Sequence, residues 1–254
     1  MTFDRACHLH FFATGRSTVI AAMFRLTCAF VILSLTAGGS AAAQGIGVYS
    51  KKHVAISGNS LAQFQGGFQS REFPLLPPAN VVIRGQYSYT CAMILPLVTY
   101  LAPANSDVIV LLDSTNDIRT NVPVQQHMAC IEQTIATLLL RNPAARIVVA
   151  NTPPWTQWDP CTNQYRDHSI VDLIEAYNAA YADPASGLQA QWPANVRVAD
   201  VFTPSADSDG WAIPQYMTGP CGIHPGDAGV WSASWQHFAD GYTGLVMSSL
   251  NGQW

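Results

Sequence analysis

Lysine is almost absent from this chain. Two occur in 254 residues, Lys51 and Lys52, side by side, and charged residues of all kinds make up 11% of the sequence against a usual quarter. The net charge is −4. A chain this poor in cations, and acidic on balance, lacks the basic footprint that holds phosphates, which argues against nucleic acid as a partner. No C-x-x-C pair occurs, so a zinc site has little support, and no metal or cofactor is expected. No long apolar lid segment is present, which argues against a true lipase. What remains is 49% hydrophobic, too apolar for a disordered protein and long enough for one α/β domain with a full core.

The N-terminus reads as a targeting segment. From Met23 one Arg is followed by an apolar run, Leu26 to Leu35, and then by small residues ending in Ala41-Ala42-Ala43. This run falls short of the roughly 20 residues that cross about 30 Å of hydrocarbon. Residues 1–43 are therefore expected to be a secretory signal cut after Ala43, with Met23 as the true start, and 44–254 the mature domain. Removing 1–43 takes away Asp4, Arg5, Arg16 and Arg25, which moves the net charge from −4 to −6. The mature chain keeps Cys91, Cys130, Cys161 and Cys221. An even number in an exported protein predicts two disulfides, and a cleaved signal predicts a secreted or periplasmic location with no membrane anchor in the mature form.

Short apolar runs alternate with helical patterns. Residues 53–57, 80–84, 107–112 and 146–150 read as buried strands, with a weaker fifth at 196–201. Continuous Val/Ile/Leu runs suit a parallel sheet covered on both faces. Val124 to Leu140 and Ile170 to Tyr181 carry apolar residues near a 3.6 period, and a last helix is expected from about Asp227 to Leu250. The alternation predicts a three-layer α/β/α sandwich around a parallel sheet of about five strands. In such a sheet the ligand crevice lies outside the carboxyl ends of the strands.

Three polar segments fall there. Gly58-Asn59-Ser60-Leu61 ends the first strand. Asp113-Ser114-Thr115-Asn116-Asp117 ends the third. Cys221-Gly222-Ile223-His224-Pro225 lies near the C-terminus. Singly these are a helix cap, a polar turn and a loop histidine. Together they supply a Ser, an Asn and a His at one sheet edge. Acyl transfer needs that set: a nucleophile, a base within hydrogen-bond reach and donors for the oxyanion.

On these segments the chain resembles the SGNH hydrolases, the superfamily of GDSL-like esterases and lipases. The family's Gly-Asp-Ser-Leu block is matched by Gly58-Asn59-Ser60-Leu61, with Asn for Asp. Its Asn-x-Gly-x-Ser-Gly-x-Thr block falls on Ile83 to Thr90, where Ser88 stands in place of the oxyanion-hole glycine. Its Gly-x-Asn-Asp block is matched by Ser114-Thr115-Asn116-Asp117, and its Asp-x-x-His-Pro block by Cys221 to Pro225, with Cys for the acid. Tyr177-Asn178 and Asp200 also resemble family features. The resemblance spans essentially the whole mature chain and implies a flavodoxin-like sheet. It implies Ser60 as nucleophile, His224 as general base, and the backbone N–H groups of Ser60 and Ser88 with the Asn116 amide as the oxyanion hole.

Cys221 stands where the orienting acid belongs, so either a main-chain carbonyl holds the imidazole, making a dyad, or another carboxylate such as Asp227 reaches in. On the implied fold a Cys161–Cys221 bridge fits the carboxyl edge and Cys91–Cys130 is its complement, while the sequence alone leaves three pairings open. Trp155, Trp158, Trp211 and Tyr216 in the edge loops are candidates for a wall that binds substrate. The implied activity is hydrolysis of carboxylic esters in a small molecule or polysaccharide, with O-acetyl groups on carbohydrate as one class. The alternative is an O-acyltransferase-like or catalytically degenerate carbohydrate-binding relative; the binding reading predicts no Ser60-dependent turnover of p-nitrophenyl acetate.

Overall fold

The computed structural model describes residues 48–254. The expected signal segment and its Met23 start lie outside the described residues. Five strands form one sheet: β1 (Val54–Gly58), β2 (Val81–Gly85), β3 (Val108–Leu112), β4 (Arg146–Ala150) and β7 (Val196–Ala199). All pair in parallel, in the order β2-β1-β3-β4-β7. This is the doubly wound order expected, with its switch point between β1 and β3. A short antiparallel hairpin, β5 (Trp158–Asp159) and β6 (Gln164–Tyr165), was not foreseen.

The strands are apolar throughout because both faces are covered. Val54, Ile56, Val108, Val110 and Val148 point to one side, where Trp235, Phe238 and Tyr242 of the C-terminal helix pack on them. Ala55, Ile109, Leu111, Ile147 and Val149 point to the other, against Ile131, Ile135 and Leu138. The alternation follows the period of two along a strand. Each such buried aliphatic side chain contributes about 1.5–3 kcal/mol from leaving water.

The long helices follow their apolar spacing. Val124–Arg141 buries His127, Ile131, Thr134, Ile135 and Leu138 along one stripe. Ser169–Ala182 buries Val171, Ile174, Tyr177 and Tyr181. The last helix begins at Ala233, later than the expected Asp227. Ser232 is its cap, with a side-chain oxygen that accepts from the Trp235 N–H, and Gly229 just before it takes φ +70°, which a helix cannot contain. Residues 227–232 therefore form a turn, and Asp227 does not cap the helix.

The sheet edge that carries the polar segments is built by close backbone approach. Gly58 has φ +151°, and a Cβ there would sit 2.0 Å from the Leu112 carbonyl oxygen. Only glycine lets β1 end so close to β3. The next residue then bonds across, with the Asn59 N–H donating to Leu112 O at 2.9 Å.

Candidate active site

Ser60 is the first residue of the short helix Ser60–Gln63. Asn59 is its cap: Oδ1 accepts from the Leu61 N–H at 2.9 Å. An amide oxygen caps as an acid would, so Asn in place of the family's Asp leaves this turn intact. Ser60 Oγ lies 2.8 Å from His224 Nε2, and both residues are buried, at 2% and 3% exposure. The His224 ring stacks on Phe64, with centroids 4.6 Å apart.

His224 Nδ1 lies 3.1 Å from the carbonyl oxygen of Pro220. A carbonyl can only accept, so Nδ1 carries the proton. Nε2 is then the acceptor, and Ser60 donates to it. This is the tautomer a general base requires. The second of the two arrangements open in the sequence finds no partner: Asp227 is exposed, and Asp207 Oδ1 is occupied by the N–H groups of Asp209 and Trp211. Burial holds the His224 imidazole below its ordinary pKa of 6.5. The Arg119 cation adds to this, and the Pro220 carbonyl partly offsets it.

Cys221 takes a left-handed conformation, φ +57°, and is bonded to Cys161; Cys91 is bonded to Cys130. Both pairings match the fold-based expectation. Asp159, Cys161 and Cys221 bring potential metal-ligand atoms together, but the two sulfurs are spent in the bridge and Asp159 pairs with Arg166.

The structure brings the Ser88 segment and Asn116 together. Ser88 adopts φ +62°, the left-handed region in which a glycine is unstrained, so the serine keeps the special backbone at some conformational cost. Asn116 Nδ2 donates to Tyr89 O at 3.0 Å, and the neighbouring Asp117 Oδ2 accepts from the Cys91 N–H at 2.8 Å. Two consecutive side chains of the helix Thr115–Arg119 thus hold residues 88–91. Asp117 in turn has buried His127 beside it, Nδ1 3.2 Å from Oδ1 but poorly aligned for a hydrogen bond, and His127 Nε2 meets the Tyr181 hydroxyl. Asp113 is buried with neither oxygen partnered. Burial, and then the Asp117 charge, push its carboxyl well above the usual carboxylate range. Sequence reasoning missed His127, Pro220 and Phe64.

The four candidate aromatics separate. Trp158 and Trp211 line a cavity of about 400 Å³ beside the His loop, with Tyr165, Thr156, Gly219 and Gly222. Trp155 is buried among Ile118, Ile174, Tyr177 and Ile223. Tyr216 stacks on His237. A larger cavity, about 710 Å³, is lined by Asn151, Asn178, Arg197 and Asp200 and holds none of the Ser60, Ser88, Asn116 or His224 side chains. Its polar groups bond one another, Asn151 Nδ2 donating to Asp200 Oδ1 at 3.0 Å; the smaller cavity likewise is not lined by Ser60, Ser88, Asn116 or His224, and it reaches the His loop through Gly219 and Gly222.

Solved structures share this fold. A protein from Streptococcus pneumonia named for platelet activating factor is 19% identical, with TM-score 0.61 over 87% of this chain and 99% of its own. A GDSL-like lipase from Bacteroides thetaiotaomicron is 16% identical, with TM-score 0.58 over 80% and 89%. A family 3 carbohydrate esterase from Talaromyces cellulolyticus is 15% identical, with TM-score 0.53 over 79% and 99%. No curated protein matches the chain. The model of the GDSL-like lipase/acylhydrolase family matches residues 34–231, most of the sequence and a range that includes Ser60, Ser88, Asn116 and His224, so this chain belongs to that family of ester hydrolases.

Proposed function

We propose that this protein is an exported carboxylic-ester hydrolase that works through a Ser60–His224 dyad. The observation that carries the reading is the 2.8 Å approach of His224 Nε2 to Ser60 Oγ, with Nδ1 committed to the Pro220 carbonyl. Ser60 Oγ attacks the ester carbonyl as Nε2 takes its proton. The imidazolium then gives that proton to the leaving alcohol, and a water molecule repeats the sequence on the acyl-enzyme. The depressed pKa of His224 keeps it neutral, and so competent as a base, below the usual imidazole range. Its carbonyl partner steadies the imidazolium less than a buried carboxylate would, which predicts a modest kcat.

The oxyanion is received by the backbone N–H groups of Ser60 and Ser88 and by Asn116. One Asn116 Nδ2 hydrogen is engaged by Tyr89 O, which aims the amide and leaves the second hydrogen for the substrate. The family is one of ester hydrolases, and carbohydrate esterases share the fold. The aromatic cavity of about 400 Å³ beside the His loop supports a sugar as the alcohol portion, with a small acyl group such as acetyl. Two disulfides support a secreted or periplasmic location, and no described helix is long and apolar enough to cross a membrane.

The test is hydrolysis of p-nitrophenyl acetate and of acetylated xylan by wild type and Ser60→Ala. The reading expects release of acetate from both by the wild type and from neither by the variant. Turnover that survives in Ser60→Ala contradicts the proposed nucleophile, and turnover of p-nitrophenyl acetate alone contradicts the carbohydrate substrate.

A further inference from the structure

A missing acid leaves an orientation problem. In a triad the carboxylate holds the imidazole directly. Here a main-chain carbonyl does so, and a carbonyl at the tip of a loop holds an imidazole only as firmly as the loop itself is held. The turn Pro220–Gly222 presents three successive carbonyls, and each has a different partner. Pro220 O receives His224 Nδ1. Cys221 O receives an Arg166 guanidinium N–H. Gly222 O receives the Thr156 N–H at 2.9 Å. Two of the three partners come from the hairpin segment 156–166, which also supplies Cys161 to the bridge with Cys221.

Arg166 is the centre of that segment. Its guanidinium pairs with Asp159 at 3.1 Å, with side-chain exposures of 9% and 17%. A second nitrogen donates to Thr156 O, and the group lies over the Trp155 ring at 5.5 Å from the centroid. One planar fork therefore ties β5, the residue whose N–H holds Gly222, and the carbonyl next to Pro220. A lysine could supply the charge but not this simultaneous fork.

We infer that the Asp159–Arg166 pair is a positioning device for His224, standing at one remove for the absent acid by fixing the turn whose Pro220 carbonyl orients the imidazole. The inference rests on the Ser60–His224 reading above and goes beyond it by naming the residues that make a dyad workable. Arg166 makes no contact with the imidazole; it acts through the Cys221 carbonyl. Misplacing a reacting group by about 1 Å costs roughly 100-fold, so loss of the fork should lower kcat by about 10- to 100-fold and leave KM within about twofold.

The experiment compares wild type with Arg166→Ala, Arg166→Lys and Asp159→Asn. It measures kcat and KM on p-nitrophenyl acetate, the rate of Ser60 phosphonylation by a fluorophosphonate, and the downfield proton resonance of His224 Nδ1–H. The expected result is a fall in kcat and in phosphonylation rate with KM held, a His224 resonance broadened by exchange, and recovery of Arg166→Ala by guanidinium at sub-denaturing concentration but not by equal sodium chloride. If Arg166→Ala does not fold, Arg166→Lys carries the test, because it keeps the charge and the stem. A folded Arg166→Lys or Arg166→Ala with wild-type kcat and an unchanged His224 resonance overturns the inference. Failure of the dyad reading looks different: the wild type itself would show no phosphonylation at Ser60.

Discussion

Replacing Glu72 by Gln should make the stability of this protein less sensitive to pH between 4.5 and about 8. Glu72 ends the helix Gln69–Glu72 and is 6% exposed. Its Oε2 lies 3.2 Å from the Tyr242 hydroxyl and its Oε1 has no partner. Tyr242 also donates to Gln65 Oε1, and Gln65 Nε2 donates to Leu61 O at 2.7 Å, so this buried chain ends one residue from Ser60. Burial pushes the Glu72 carboxyl up from 4.5 to about 8, against the smaller opposing effect of the Tyr242 hydrogen bond.

The folded protein therefore keeps a proton that the unfolded chain releases above its ordinary value of 4.5. Native protein binds more protons than unfolded protein throughout that window, so stability falls as pH rises from 4.5 to about 8 and the loss is complete above it. The whole loss is at most about 5 kcal/mol. Gln is neutral at every pH and removes it. Urea unfolding at about pH 5 and about pH 9 measures this directly. Wild type and Glu72→Gln should have similar stabilities at the lower pH, and the variant should gain roughly 3 kcal/mol or more at the higher. Parallel stability–pH curves for the two proteins would refute the reasoning.

Asn116→Ala should lower kcat about 100- to 1000-fold with little change in KM, because the amide donor acts on charge that develops in the transition state; steady-state kinetics with an unchanged kcat would return Asn116 to a purely structural tie on Tyr89. The acid limb of the kcat/KM profile should fall below the ordinary imidazole value of 6.5, since burial favours the neutral base; a limb at or above it contradicts the described environment of His224. Cys161→Ser opens a bridge between residues 60 apart in sequence and should cost about 4 kcal/mol in urea unfolding; a loss under about 1 kcal/mol would refute a stabilising role for that bridge.

The parallel sheet was legible because its strands are continuous apolar runs, and Val54–Gly58 and Arg146–Ala150 fall within a residue of their expected positions. The helices Val124–Arg141 and Ser169–Ala182 were legible because their buried residues recur at three and four. The start of the last helix was not, since Ser232 is one of several serines that could have capped it and the left-handed Gly229 has no distinct signature. Ser60 and Asn116 carried their chemistry in their side chains just past the ends of predictable strands, and His224 in a loop before the last helix. Pro220 could not be found that way: its carbonyl is common to every residue, and only the left-handed turn at Cys221 directs it at the imidazole. Arg166 was hidden for a related reason. It lies 55 residues from the carbonyl it holds, just after a hairpin whose strands are two residues long, too short for a periodic signal.

The central claim is that Ser60 is the nucleophile activated by His224. Treating the folded protein with a fluorophosphonate and mapping the modified peptide by mass spectrometry tests it most directly. The account predicts a single adduct on Ser60, absent in Ser60→Ala and slow to form in His224→Ala, with turnover lost in step. An adduct on another serine, or labelling of Ser60 at an undiminished rate without His224, would contradict it.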